Sequence, residues 1–328
     1  MVKAIRFHKT GGPEVLEWEN ISVPDPGPGE VLLRHKAIGL NFIDTYHRTG
    51  LYPLPLPAGL GSGLGMEAAG VVEAIGNGVT DLKKGDRVAY AAMPPGAYAE
   101  QRLFKADQLV PLPDNIDDKT AAAAMLKGMT AEYLLRRTFP VKPGMTVLIH
   151  AAAGGVGLIA CQWARHLGAT VIGTVGSTEK AELARKHGCK HIILYRDEDI
   201  AARVRDITDG QGVPVVYDSV GKDTFEASLD CLQPRGMMVS YGNASGPAPP
   251  VEPAVLAAKG SLFLTRPTLM HYNISRDDLL ASAAALFDVM GSGAVRVEIH
   301  QEYELADAAT AHRDLEARRT TGASVLVP

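Results

Sequence analysis

Short runs of apolar and β-branched residues recur along the first third of the chain. They cover residues 2–7, 30–38, 69–75 and 87–91, and turn signals such as Pro26-Gly27-Pro28-Gly29 and Lys84-Gly85-Asp86 separate them. Runs of this kind predict strands, so residues 1–125 read as a mostly β domain. Over residues 121–139 Ala, Leu, Met, Lys and Arg dominate, which predicts a helix. Beyond Thr146 short branched-chain runs alternate with helical segments, the pattern of βαβ units and a parallel sheet. Six strands are predicted there, at 146–150, 170–175, 191–194, 213–218, 237–241 and 261–265. Helices are expected between them at 156–167, 179–187, 199–208 and 224–232. The last connection carries Pro247, Pro249, Pro250 and Pro253, so only its later part can be helical. From Ser275 the pattern predicts a helix (277–290), a strand (295–299), a helix (305–317) and a closing strand (324–327). That tail is expected to return to the first domain.

Composition narrows the class. At 328 residues, 46% hydrophobic and 21% charged, the chain is globular and long enough for two domains. Lys plus Arg number 33 against 37 Asp plus Glu, so no basic surplus exists to neutralise phosphates, and a nucleic-acid partner is not expected. Cys161, Cys189 and Cys231 form no CxxC pair and, being three, no complete disulfide set. Residues 1–20 mix charged residues with Gly11, Gly12 and Pro13, so they hold no apolar signal core, and no uninterrupted apolar run of about 18 residues is present. The expectation is a soluble, cytoplasmic protein with no membrane partner.

Six strands with helical crossovers are the inventory of a Rossmann sheet, doubly wound and parallel. After its first strand stands His150-Ala151-Ala152-Ala153-Gly154-Gly155-Val156-Gly157, a match to A-x-G-x-x-G. Ala152 is expected to take the tight turn, Gly154 to let backbone approach a pyrophosphate, and Gly157 to let the helix pack on the strand. The N–H groups opening that helix, with Ala153, Gly154, Gly155 and Val156, then face the phosphates. An NAD site carries an acid at the end of the second strand, but Gly173-Thr174-Val175-Gly176-Ser177 has none. Ser177 and Lys180 suit a 2′-phosphate instead, with Tyr195 closing the pocket, so NADPH is the expected cofactor. Strand ends nominate Gly173, Thr174, Ser219, Tyr241, Gly242, Asn243, Leu264, Thr265 and Arg266 as further contacts. Lys180 is otherwise a solvated residue of the next helix, and Arg266 and Arg319 could equally be solvated surface charges.

Several segments resemble the medium-chain dehydrogenase/reductase superfamily, and within it the zinc-free NADPH:quinone oxidoreductases of the zeta-crystallin-like branch. They are Gly39-Leu40-Asn41-Phe42-Ile43-Asp44-Thr45-Tyr46, Gly50-Leu51-Tyr52-Pro53, Glu67-Ala68-Ala69-Gly70, Lys84-Gly85-Asp86-Arg87-Val88, Lys127-Gly128-Met129-Thr130-Ala131 and Asp218-Ser219-Val220-Gly221. The resemblance implies a GroES-like, mainly β catalytic domain (1–125), a Rossmann NADPH-binding domain (126–266), a C-terminal return to the catalytic domain (267–328), and a homodimer. It implies cofactor contacts at Asn41, Phe42, Asp44, Tyr46, Thr130 and Arg319. Zinc relatives place Cys where Asn41 stands and Gly-His-Glu where Gly65-Met66-Glu67 stands. No cysteine precedes Cys161 and no histidine lies between His47 and His150, so a zinc site of that type has too few ligands in this domain. The Gly-rich stretch 58–65 departs from the family pattern and is expected to alter the loop there.

Without a Lewis acid an alcohol is hard to oxidise, whereas a quinone accepts hydride readily and its anion is delocalised. The enzyme's task is then to orient cofactor and acceptor and to offer a hydrogen-bond donor to the reduced oxygen. Asn41, Tyr46 and Tyr52 are the candidate donors. Asn41 is otherwise a cap and Tyr46 otherwise core. Asp44 is expected to be a hydrogen-bond anchor, His47 a loop or surface histidine, and Cys161 and Trp163 packing. An NADPH-dependent reductase of α,β-unsaturated carbonyls is the nearest alternative, and a non-catalytic NADPH-binding protein of crystallin-like or RNA-binding type is another.

Overall fold

The computed structural model describes residues 1–57 and 61–328. Part of the Gly-rich 58–65 stretch, residues 58–60, thus lies outside the described residues. Two compact units emerge: one holds Met1–Met129, Asn273–Phe287 and Val297–Pro328, the other Thr130–Tyr272 and Asp288–Arg296.

In the first unit β1 (Val2–Phe7), β2 (Glu17–Ile21), β3 (Glu30–Leu40), helix α1 (Phe42–Thr49), β4 (Ser62–Gly63), β5 (Glu67–Ile75), β6 (Arg87–Ala91), β7 (Gln101–Lys105) and β8 (Val110–Pro111) follow in order. β2, β1 and β4 form a small antiparallel sheet. β3 runs between β5 and β7, antiparallel to both. It alternates at first, with Val31, Leu33, His35 and Ala37 buried, and then Ile38 and Leu40 are buried as well. This fully enclosed end delivers Asn41 and α1 into the interior. Opposite it packs α2 (Asp118–Tyr133), whose Ala121–Ala124 run is wholly buried. The approach is close enough that a Cβ on Gly39 would stand 2.2 Å from the Ala122 carbonyl. The expected helix over 121–139 is thus two elements, α2 and a π turn at Leu134–Thr138.

The second unit is built on six parallel strands: β9 (Thr146–Ile149), β10 (Thr170–Val175), β11 (Cys189–Leu194), β12 (Val213–Asp218), β13 (Leu232–Ser240) and β14 (Phe263–Thr265). Helices α3 (Gly155–His166), α4 (Thr178–Lys186), α5 (Ile200–Ile207), α6 (Phe225–Asp230), α7 (Pro253–Ala258) and α8 (Leu269–Tyr272) connect or follow them. The order β11-β10-β9-β12-β13-β14 reverses between β9 and β12, where an open sheet leaves its ligand crevice. Val147, Leu148, Ile149, Val215 and Val216 are fully buried, as strands covered on both faces require. β13 starts five residues earlier than its branched-chain core, 237–241, predicts, at Leu232, because the backbone runs on through Pro234 and Arg235 with Arg235 at φ 63°. Leu232 therefore belongs to this strand and not to the preceding helix.

The tail contributes α9 (Arg276–Gly291), β15 (Ile299–Glu304), α10 (Ala308–Glu316) and β16 (Ala323–Val327). β16 pairs antiparallel with β3 and parallel with β15, completing the large sheet of the first unit. The strand expected at 295–299 is displaced to Ile299–Glu304. Val295 is instead buried, its N–H bonded to the Val289 carbonyl at 2.9 Å.

Candidate active site

The glycine-rich loop expected to hold phosphate follows β9 directly. Ala151 takes the left-handed conformation at φ 51°, so it, and not Ala152, makes the tight turn. Gly154 caps α3, and the first intrahelical bond there runs from Leu158 N–H to the Gly154 carbonyl at 2.9 Å. The N–H groups of Gly155, Val156 and Gly157 precede that bond and have no acceptor within the helix. A Cβ on Gly154 would meet only the Ala151 carbonyl, 3.2 Å away, so space lies open over the turn. One on Gly157 would stand 2.3 Å from the same oxygen, which requires glycine there. This is a positively polarised helix end with room for a diphosphate, and NADPH fits it.

The other predicted contacts of this unit lie at strand ends. Ser177 caps α4, its oxygen accepting Lys180 N–H at 3.4 Å, and its hydroxyl holds the exposed Glu179 carboxyl below its ordinary range. Tyr195 lies against Gly176, where a Cβ would be 2.6 Å from its hydroxyl. Gly242 packs on Ser219, and Tyr241 N–H reaches the Asp218 carbonyl at 2.8 Å. Arg266 donates to the Gly242 carbonyl (3.1 Å) and to Ser240 Oγ (3.4 Å). Asn243 follows Gly242, Leu264 and Thr265 lie on the edge strand β14, and Ala153 is buried in the turn. Thr130 opens the unit near the end of α2. Thr174 differs from expectation: it is buried, and its hydroxyl points to His150 Nδ1 at 2.9 Å. Arg319 belongs to the first unit and pairs with Asp314 at 3.2 Å.

In the first unit the register of β3 against β5 sets Gly39 opposite Glu67, two residues before Asn41. Glu67 is fully buried. Its Oε1 accepts Leu126 N–H at 2.7 Å, and its Oε2 accepts Asn41 Nδ2–H at 2.7 Å and Lys127 Nζ–H at 2.9 Å. Asn41 Nδ2 also donates to the Gly39 carbonyl at 3.3 Å. An amide nitrogen has two hydrogens, so both are committed inside the protein. In this arrangement Asn41 has no N–H left for a reduced oxygen, and its expected role as donor is corrected to that of a fixed, oriented group. The Lys127 ammonium already meets the Glu67 charge, and neighbouring Asn41 and Met66 offer no zinc ligand, so this donor set does not fit a zinc ion. Among the described residues one other trio, His8, Glu17 and Glu19, brings donor atoms together, on the surface.

Helix α1 carries the remaining candidates. Asp44 accepts Asn41 backbone N–H at 2.9 Å and the Tyr98 hydroxyl at 3.0 Å through Oδ2, and is fully buried. Burial pushes its carboxyl up to about 7, against the opposing pull of those two hydrogen bonds and of Lys127. Phe42 and Tyr46 lie one turn apart with ring centroids 6.1 Å apart, and Tyr46 meets Tyr52 edge-on at 5.2 Å. His47 is buried, not on the surface as expected, because it faces inward from α1 against Tyr52, and burial lowers its pKa to about 4. Sequence reasoning missed Glu67, Lys127 and His150 as site-building residues. Each sat within a quoted motif, but only the fold shows what it touches.

Two family models match: the alcohol dehydrogenase GroES-like domain over residues 27–114 and the zinc-binding dehydrogenase over residues 155–286. The quinone oxidoreductase of Pseudomonas aeruginosa is 57% identical over 100% of both chains. A 2-haloacrylate reductase of a Burkholderia species is 52% identical over 100% of this chain and 99% of its own. The crystal structure of Escherichia coli quinone oxidoreductase complexed with NADPH superposes with a TM-score of 0.97 at 51% identity, covering 99% of this chain and 100% of that one. The second unit is accordingly a Rossmann fold and the first is GroES-like, and the chain belongs to the quinone oxidoreductases of the medium-chain dehydrogenase/reductase superfamily.

Proposed function

We propose that this protein is an NADPH-dependent quinone reductase that works without a metal, as a homodimer in the cytoplasm. Residues 1–125 with 267–328 form its catalytic domain and residues 126–266 its NADPH-binding domain. Identity above 50% to named quinone oxidoreductases over the whole chain supports the reaction class. The observation that carries the metal-free chemistry is the Glu67 carboxylate, whose charge is answered by Lys127 and whose oxygens are taken by Asn41 and Leu126.

When bound, NADPH supplies the hydride. Gly155 and Val156 N–H groups hold its diphosphate, and Ser177, Lys180 and Tyr195 hold the 2′-phosphate. Asn41, fixed by Glu67, orients the reacting end. Tyr46 and Tyr52 supply hydroxyl donors to the oxygen of the reduced acceptor, whose final protons come from solvent. The edge strand β14 exposes Phe263 (58%) and Leu264 (37%) and supports pairing with a second copy. No helix among the described residues is long and apolar enough to cross a membrane.

The 52% identity to a 2-haloacrylate reductase favours a second reading, reduction of an activated carbon–carbon double bond. NADPH oxidation, with NADH in parallel, should be followed against 1,4-benzoquinone, 9,10-phenanthrenequinone, enones and 2-chloroacrylate, with and without EDTA. Fast NADPH-specific quinone turnover unaffected by EDTA is expected. Turnover of enones or haloacrylate alone would replace quinones as substrate, and loss of rate in EDTA would overturn the metal-free mechanism. Light scattering on a sizing column tests the dimer, which Leu264→Lys should weaken.

A further inference from the structure

His150 stands between β9 and the left-handed Ala151, fully buried, where a solvated loop would have no use for an imidazole. Its Nδ1 lies 2.9 Å from Thr174 Oγ1 and its Nε2 3.0 Å from Ser228 Oγ. The directions of these bonds follow from Ser228. That hydroxyl also contacts Asp218 Oδ2 at 2.9 Å and the Thr224 carbonyl at 2.8 Å, both acceptors. Its one hydrogen is therefore spent on them, and it must accept from His150 Nε2–H. The imidazole is then neutral with Nδ1 bare, so Thr174 donates to it. Burial favours the same neutral form.

The chain ends on Asp218. Its Oδ2 also accepts Thr224 Oγ1–H at 2.8 Å, and its Oδ1 accepts the N–H groups of Val220 at 2.7 Å and Gly221 at 3.1 Å. One directed line of hydrogen bonds thus joins the carboxyl ends of β10, β9 and β12, the three strands around the topological switch, and fixes both the phosphate loop and the Ser219 turn. A non-glycine residue in the left-handed region, such as Ala151, persists where its surroundings over-determine it. His150 N–H to the Tyr217 carbonyl (3.0 Å) and Ala152 N–H to the Thr174 carbonyl (3.1 Å) complete that clamp.

We propose that His150 is a positioning residue for NADPH: hydrogen-bonded between Thr174 and Ser228, it holds the strand ends in the spacing the cofactor requires, without touching the cofactor itself. This rests on the reading that residues 151–157 hold the diphosphate. Calorimetric titration of NADPH into the full chain, together with KM for NADPH and for 1,4-benzoquinone, tests it on four variants. His150→Leu leaves Ser228 and Thr174 with an unanswered bond and should weaken the NADPH Kd about tenfold. KM for NADPH should rise in step, while KM for the quinone and kcat at saturating NADPH stay within about twofold. Ser228→Ala removes less volume, shifts the Kd in the same direction, and serves if His150→Leu fails to fold. His150→Gln keeps one acceptor and one donor and should recover most of the affinity. Wild-type Kd in both His150→Leu and Ser228→Ala, or equal loss in His150→Gln, would overturn the proposal. Gly157→Val tests the underlying reading separately: its side chain would collide with the Ala151 carbonyl, and if it binds NADPH normally the loop is not the diphosphate site.

Discussion

In the second unit four buried polar side chains form a line, Thr174 to His150 to Ser228 to Asp218, in which the Asp218 carboxylate receives the donors of Val220, Gly221, Thr224 and Ser228. The first unit buries ionisable groups around α1: Glu67 against Lys127, the Arg48 guanidinium against the exposed Glu316, and Asp44, whose Oδ1 has no hydrogen-bond partner. Beside them Arg48 donates to His312 Nδ1 at 3.1 Å, so His312 Nε2–H donates to Tyr98 and Tyr98 to Asp44. The line of saturated hydrogen bonds in the second unit holds the ends of its strands in a fixed shape. Buried charges are poor stabilisers compared with apolar packing, so the proposed reacting groups on α1 sit where the interior is electrostatically most costly.

That contrast can be broken most severely at Lys127. Lys127→Met leaves the Glu67 carboxylate buried without a counter-charge and should cost about 3–5 kcal/mol in denaturant unfolding. Pairing it with Glu67→Gln should recover much of the loss, because the two side chains couple directly. An unchanged midpoint in Lys127→Met would show that the ion pair is not what offsets Glu67.

Asp44 sharpens the comparison through pH. Its folded pKa of about 7 lies above the 3.8 of an ordinary Asp, so between those values the folded state binds the extra proton. Stability should fall as pH rises through that window, at up to about 1.4 kcal/mol per pH unit from this group, and level off above it. Asp44→Asn should flatten that slope in unfolding experiments from pH 4 to 8. A slope that survives the substitution assigns it to another group.

At the second unit's phosphate end, Ser177→Ala with Lys180→Ala should raise KM for NADPH about 10- to 100-fold and leave KM for NADH nearly unchanged. An equal rise for both cofactors would remove these side chains from 2′-phosphate selection. The smallest effect is expected at Tyr46→Phe, a drop of less than about tenfold in kcat for quinones with KM for NADPH unaltered, since Tyr52 lies beside it and solvent supplies the final protons. No change in kcat for any quinone would take Tyr46 out of the mechanism.

The parallel sheet was legible because buried strands advertise themselves as branched-chain runs: β10 and β12 fall where 170–175 and 213–218 predict them. The element ends were less so. A π turn replaces the last part of the 121–139 helix, and the strand near residue 297 slides to Ile299–Glu304, since helix register and strand pairing are settled by partners far away in sequence. Asn41 illustrates the same limit. Its residue type allowed a donor, a cap or an anchor, and the choice fell to Glu67, 26 positions on in sequence, which takes one of its two N–H groups.

What the sequence determined by itself is therefore local chemistry: the glycines of the loop after β9, the missing acid at the end of β10, and the lack of any cysteine before Cys161. These depend on which atoms a residue carries. The tertiary structure alone decided which buried polar groups answer one another, from Lys127 on Glu67 to the line through His150. In a water-free interior each donor must find an acceptor among residues that only folding brings together, and no spacing along the chain records that partner.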